Sequence, residues 1–325
     1  MPLFGLGFDW RKSHAHWFLL SRFLQPRDAH DHDGDRWKEA LGEPPQKAIK
    51  RFLQEGLVRC ADLAETVDRA CKADDLKAEL KRRGLPVSGR KADLIARLIE
   101  ADPEGVKKSM ARHVIYRCSD QGRTLAEGYL AAEAQKRAAT EAKVLDLLGA
   151  GRLEDAARTV ASFEAQQVFA RGMGIDWNRY DPSRDVAVLK SIFSAKPRIL
   201  GRLPDESWQL LRLGAAQMHL WGINKTKELF PADFRAHDQM DNDTSARMIL
   251  FYAINHQRVE EWLRTGYVKT IKVSAVLDER SCKVCQEADG KRYRVYNAPE
   301  LPHPGCTSEM GCRCMLMWDV EHDRQ

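Results

Sequence analysis

The chain has no apolar run approaching the ~18 residues that a membrane-spanning helix needs. No membrane partner is therefore expected. It also lacks a Gly-x4-Gly-Lys-Ser/Thr loop and a dinucleotide-binding glycine fingerprint, which removes the commonest nucleotide-dependent enzymes. There is no Gly-x-Ser-x-Gly elbow to aim a nucleophilic serine. A strong charge of one sign is missing too. Lys plus Arg number 52 against 47 Asp plus Glu, and the net +5 is too small by itself to predict a nucleic-acid partner. The opening MPLFGLGFDWRKSHAHWFLLSRFLQ has no basic segment before its apolar residues and no small-residue cleavage site. It does not read as a signal peptide. The expectation is a reducing, cytoplasmic setting, in which cysteines favour metal over disulfides. What remains is a 325-residue chain, 43% hydrophobic and 30% charged, with the composition of a globular protein and the length of two or three domains.

Five of its eight cysteines lie in one stretch, DERSCKVCQEADGKRYRVYNAPELPHPGCTSEMGCRCMLMW, from Asp278 to Trp318. Cys282-x2-Cys285 is the spacing of a metal knuckle, since a tight turn aims both sulfurs at one point. A second ligand group follows about twenty residues later, a usual separation for a two-knuckle zinc site. Six groups compete for four tetrahedral positions. Cys282, Cys285, Cys306 and Cys312 are the preferred set, with His303 and Cys314 as alternates. Cys312-x-Cys314 is tight for two ligands on one ion, and Pro302 and Pro304 restrict the reach of His303. The other readings are a core of reduced thiols, disulfides, or a catalytic metal with three protein ligands and an open position. Asp289-Gly290 signals a turn, and Lys291 to Tyr296 looks like a strand.

The order Asp-x-Arg-Ser-Cys-x2-Cys, Asp-Gly-Lys, Pro-His-Pro-x-Cys and Gly-Cys-Arg-Cys resembles the C-terminal domain of phage head-morphogenesis proteins, the minor head proteins similar to phage Mu protein F. Upstream, Thr244 to Tyr267 reads as a helix ending at a Gly turn. Lys269 to Leu277 then alternates, with Ile271, Val273, Ala275 and Leu277 on one face. The family has the same order of helix, strand and Asp-x-Arg-Thr-Cys turn. The resemblance covers roughly residues 240 to 318. It departs where Thr307 to Gly311 separates Cys306 from Cys312, and it lacks the family's frequent Arg-Thr-Glu triplet. It implies a portal or capsid partner, and virion association if the chain is phage-encoded.

Earlier in the chain, residues 1–40 read as irregular, apart from a short apolar helix at His16 to Leu24. Asp28 to Asp35, DAHDHDGD, reads as a solvated loop. Pro44-Pro45 opens a helix with Ile49, Phe52 and Leu53 at helical spacing, closed by Gly56. Cys60 to Cys71 reads as another short helix. In residues 72–102 one helix carries Leu76 and Leu80 and stops at Gly84. Leu85-Pro86-Val87 is extended. Ser88 caps a second helix with Leu94, Ile95, Leu98 and Ile99. Eight basic and five acidic residues lie between Lys72 and Glu100. The cations crowd the loop and the second helix's start, where free backbone N–H groups suit a phosphate.

Leu76-Lys77-x2-Leu80-Lys81-x2-Gly84-Leu85, followed by Ser88-Gly89-x-Lys91-x2-Leu94-Ile95-x-Arg97-Leu98, resembles the SAP domain. That resemblance implies binding to duplex DNA, with a liking for AT-rich sites. The candidate DNA contacts are Lys77, Lys81, Arg82, Arg83, Ser88, Gly89, Arg90 and Lys91. Further on, Arg123 to Leu148 reads as a long helix with Leu125, Leu130, Ala134, Val144 and Leu148 recurring. Gly149 to Gly151 breaks it, and Leu153 to Gly172 reads as its partner. Gly172-Met173-Gly174 and Asp181-Pro182 mark a boundary. Trp208, Leu210, Leu211, Leu213, Met218, Leu220 and Trp221 read as core.

The expected architecture is mainly α and multidomain. It has an irregular segment (1–40), a helical region with the SAP-like helix–extended loop–helix (41–105), a helical hairpin (106–175), a helical middle (176–239) and a small α+β zinc-stabilised domain (240–325). The expected function is a DNA-binding, phage- or prophage-derived head protein with a structural zinc. The alternatives are a stand-alone bacterial DNA-binding protein that uses its C-terminal domain for interaction, or a metal-dependent nuclease. Asp278, Glu279 and Asp289 are candidate Mg²⁺ ligands for the nuclease, or else turn and surface residues.

Overall fold

The computed structural model describes residues 9–172, 175–222 and 229–323. Met173 and Gly174 of the expected boundary, and the first residues of the opening segment, lie outside the described residues. The chain divides into two compact units, 1–137 and 138–325.

The first unit opens with α1 (His14–Arg22), β1 (Arg27–Asp28), α2 (Asp35–Leu41), α3 (Pro45–Gln54) and β2 (Val58–Cys60). Helix α1 stands where a short helix was expected at His16 to Leu24, and α2 is a further helix in the stretch otherwise expected to be irregular. Strand β3 (Ile115–Cys118) pairs antiparallel with both short strands, giving the order β1-β3-β2. Trp10, Leu19, Phe23, Ile49, Phe52 and Leu57 are buried here, so apolar helix faces cover this small sheet. The DAHDHDGD tract is not simply solvated. His32 is buried, its ring centroid 4.9 Å from that of Trp37 and 5.5 Å from that of Phe23.

The same unit carries α4 (Leu63–Ala70), α5 (Ala73–Arg82), α6 (Lys91–Ala101) and α7 (Pro103–Met110). Cys60 is therefore a strand residue and not the start of a helix. Val67, Leu76, Leu80, Leu94, Ile95, Leu98 and Val106 form one buried cluster, so the α5–α6 hairpin is closed by a helix on each side of it in sequence. The long α8 (Asp120–Gly149) follows. A Cβ at Gly122 would lie 1.8 Å from the Leu57 carbonyl oxygen, so only glycine permits this approach. Val144 and Leu148 are buried, but Leu125 and Leu130 are exposed. The expected apolar stripe therefore holds only at the C-terminal end of α8.

The second unit contains α9 (Leu153–Glu164), α10 (Ser183–Ser194), α11 (Asp205–Trp221) and α12 (Asn242–Thr265). Trp208, Leu211, Met218, Leu220 and Trp221 are buried as expected, with Leu210 and Leu213 half-buried. Gly266 ends α12 in the left-handed conformation, φ +69°. Then come β4 (Thr270–Ser274), α13 (Lys283–Ala288), β5 (Arg292–Arg294) and β6 (Met315–Trp318), in the antiparallel order β5-β4-β6. Ile271 and Val273 are buried, but β4 ends at Ser274 and Leu277 is exposed, which shortens the expected alternation. The Asp289-Gly290 turn joins α13 to β5 and does not close a hairpin of adjacent strands. Asn255 Oδ1 accepts from the Leu316 N–H, and Arg258 donates to the Leu316 carbonyl, so α12 holds the outer edge of β6.

Candidate nucleic-acid interface and metal centre

Helix α5 ends because Gly84 adopts φ +70°. The loop to α6 is extended, and Arg97 fixes it by donating to the carbonyls of Pro86 (2.6 Å) and Ser88 (3.1 Å). Gly89 has φ +118°, and a Cβ there would sit 3.1 Å from the Asp93 side chain. The N-cap of α6 is Arg90, not Ser88. Asp93 Oδ2 accepts from the Arg90 N–H at 2.9 Å, occupying one of the donors expected to meet a phosphate.

The six expected cations are not equivalent. Arg83 is tied to Glu79 (2.8 Å) and Asp102 (2.7 Å). Lys91 Nζ is 3.0 Å from Asp68 Oδ1 and donates to the Asp68 carbonyl, holding the end of α4. These two therefore serve the packing of the unit. Arg82 pairs with Glu79 but keeps a side chain 73% exposed. Arg90 is 91% exposed, with a long 3.8 Å contact to Asp93. Lys81 is exposed and has no ion-pair partner among the described residues. Lys77 has a loose 3.7 Å contact to Asp74. Lys77, Lys81, Arg82 and Arg90 are thus the side chains able to meet an anion, beside the exposed backbone of Ser88 and Gly89. Residues 72–103 match the SAP domain. The SAP unit points to binding of DNA or another nucleic acid. No curated protein and no solved structure matches the chain.

The second site is in β4–β6 and the loops around α13. Arg313 grips Asp278 with both arms of its guanidinium, at 2.6 and 2.7 Å, which ties the first knuckle turn to the last cysteine run. This pairing holds the Asp278 carboxyl far below the usual range. Asp289 accepts from the Ala275 N–H at 2.8 Å. Both carboxylates act as turn residues, and neither joins a group of metal-competent atoms.

All five thiols come together. Cys282 and Cys285 each lie 3.6 Å from Cys306, sulfur to sulfur, and Cys285 lies 3.8 Å from Cys312. Tetrahedral zinc with Zn–S near 2.3 Å has sulfur–sulfur edges of about 3.8 Å, so these separations fit thiolates sharing an ion. The preferred four do not form one close group, however. The sulfurs fall into two triads, Cys282–Cys285–Cys306 and Cys285–Cys312–Cys314, each within 4.8 Å and sharing Cys285. Cys312 and Cys314 thus belong to one triad, against the expectation drawn from their tight spacing. The His303 ring belongs to neither. Its Nδ1 accepts from the Gly305 N–H at 3.1 Å, while its backbone N–H donates to Cys312 Sγ at 3.2 Å. The cluster could hold a metal ion.

The sulfurs are also supplied with donors that favour the anion. Burial opposes ionisation of Cys282, but the N–H groups of Cys285 and Thr307 outweigh it and bring its pKa down to about 7. Hydrogen bonds from the thiols of Cys306 and Cys314, with one from the His303 N–H, outweigh burial and push the Cys312 pKa down. Those shared protons, with burial, push Cys306 and Cys314 up. Burial and the Cys312 charge beside it push Cys285 up. One buried thiolate thus raises the cost of making the next, a repulsion that a thiophilic cation would remove.

Proposed function

We propose that the chain is a duplex-DNA-binding protein in which the SAP unit makes the contacts and a zinc-holding cysteine cluster stabilises the C-terminal domain. The observation that carries the reading is the SAP unit itself. It has a complete buried core, an arginine-clamped loop and exposed Lys81 and Arg90 flanking that loop. Phosphate contacts of this kind position a protein without reading sequence, so a preference for AT-rich sites rests on the SAP match alone. Cys282, Cys285, Cys306, Cys312 and Cys314 would hold zinc, and the ion supplies folding energy to a small domain. Equilibrium binding of a labelled duplex to the full chain, with and without a Lys81→Glu plus Arg90→Glu change, tests the DNA reading.

The resemblance of residues 240–318 to phage minor head proteins supports placing this activity in head assembly, with a portal or capsid as protein partner. Terminase, portal and protease genes beside the coding sequence would support that assignment over a stand-alone bacterial DNA-binding protein. The nuclease reading has less support, because Asp278 is held by Arg313 and Asp289 by the β4–α13 turn. Nicking of supercoiled plasmid with Mg²⁺ or Mn²⁺ would reinstate it.

A further inference from the structure

We propose that the cysteine cluster is a two-ion site, with one zinc in each triad and Cys285 as the bridging thiolate. The inference rests on the metal reading above and deepens it. The sulfurs lying within 4.8 Å of one another form two cups of three that share Cys285, with the Cys306–Cys312 contact running between the cups. A lone zinc on Cys282, Cys285, Cys306 and Cys312 would leave Cys314, which is 2% exposed, as an idle buried thiol.

A second observation is independent of the sulfur distances. A void of about 10 Å³ lies against the cluster, lined by Cys282, Cys285, Cys314, Ser281, Ser308 and Arg280 among others. That is about the space one water needs. Its lining includes one cysteine private to each triad as well as the shared one. A three-sulfur cup gives zinc three protein ligands, and a water in this void would complete a fourth position. Charge points the same way. One dication on four thiolates leaves a charge of −2. Two dications on five thiolates leave −1, beside Arg280 and Arg313, which line the void.

The test is metal stoichiometry of the full chain, stripped by chelator and kept reduced without oxygen. Zn²⁺ is titrated and the loaded protein weighed by native mass spectrometry. Co²⁺ is titrated in parallel, and its thiolate charge-transfer absorption is followed. Two ions per chain are expected, with the Co²⁺ band still growing up to the second equivalent. Cys314→Ser and Cys306→Ser, which each damage one cup, should each fall from two ions to one. One ion in the wild type, or one in both wild type and Cys314→Ser, overturns the two-ion site but leaves the zinc reading standing. No ion in the wild type overturns both. The wild-type count decides the matter even if a serine variant fails to fold.

Discussion

Replacing Cys285 with serine removes the one sulfur that belongs to both triads. The local consequences can be worked from what surrounds it. Cys285, Cys312 and Cys314 are 5%, 0% and 2% exposed and lie in the same apolar cluster as Ile271, Val273, Leu316 and Met248. Without a cation, burial and a thiolate on Cys312 both oppose ionisation of Cys285 and Cys314 beside it. A structural zinc contributes on the order of 10 kcal/mol in a small domain, comparable with the whole stability of ~5–15 kcal/mol of an ordinary one. Losing it should therefore unfold the three-stranded sheet and the α13 loops. The SAP unit, with its own core, should be untouched. Hydrogen exchange on the full chain reads this directly. The N–H groups of Val273, Gly290 and Asp319 bond within the sheet region and should lose most of their protection in Cys285→Ser, and equally on chelation of the wild type. The amides of α5 and α6 should keep theirs. Unchanged protection across β4 in both experiments would refute the idea that metal holds this domain together.

Other consequences are sharper in position than in size. Gly311 has φ +71°, and a Cβ there would lie 2.6 Å from Met248 Cε, so Gly311→Ala should cost about 1–3 kcal/mol in thermal unfolding and weaken metal retention by moving Cys312. His303→Ala should keep full metal stoichiometry by elemental analysis, since the ring is not in either triad; loss equal to that of Cys285→Ser would reverse the ranking. Acid should weaken the first unit. Burial opposes ionisation of Glu43, but hydrogen bonds from Arg51, His16 and Lys47 hold its pKa at about 2, and bonds from Arg59 and Arg117 likewise hold Glu65 at about 2. Depressed carboxylate pKa values stabilise the fold above the unfolded value of 4.5, and that stability is lost as pH falls toward 2. Each contributes on the order of 2 kcal/mol, so Glu43→Gln and Glu65→Gln should flatten the fall in urea midpoint between those pH values.

The SAP hairpin was legible because its apolar residues recur at helical spacing and its breaks are glycines. Leu76, Leu80, Leu94, Ile95 and Leu98 are all buried as their periodicity implies. The roles of its cations were not legible. Arg83 and Lys91 are drawn off by Asp102 and Asp68, which lie at the edge of the motif or outside it, and such pairing depends on how α4 and α7 pack. Ser88 looked like the cap, but Asp93 at the third helical position reaches back to the Arg90 N–H and moves the cap two residues on. Strands β1, β2 and β3 have only two to four residues, and their partners lie up to 89 positions apart (Arg27 opposite Tyr116), so no local alternation announces them. At the cysteines, spacing foretold that the sulfurs meet. It could not foretell two triads, because that depends on where Gly311 and the Arg313–Asp278 pair turn the chain.

The central claim is that the SAP unit is what touches DNA. Its most direct test is the salt dependence of duplex binding by the full chain, measured by fluorescence anisotropy with and without the Lys81→Glu and Arg90→Glu changes. Three or four of the available cations meeting phosphate give a slope of log K against log[salt] of roughly −3 to −4. A fourfold rise in salt would then cost about a hundred-fold in affinity. Charge reversal at two of those positions should weaken binding at least ten-fold and flatten the slope by about 2. Hydrogen-exchange protection of α5 and α6 should stay intact, since neither side chain carries the core. A variant that binds with the wild-type affinity and the wild-type slope would contradict the account.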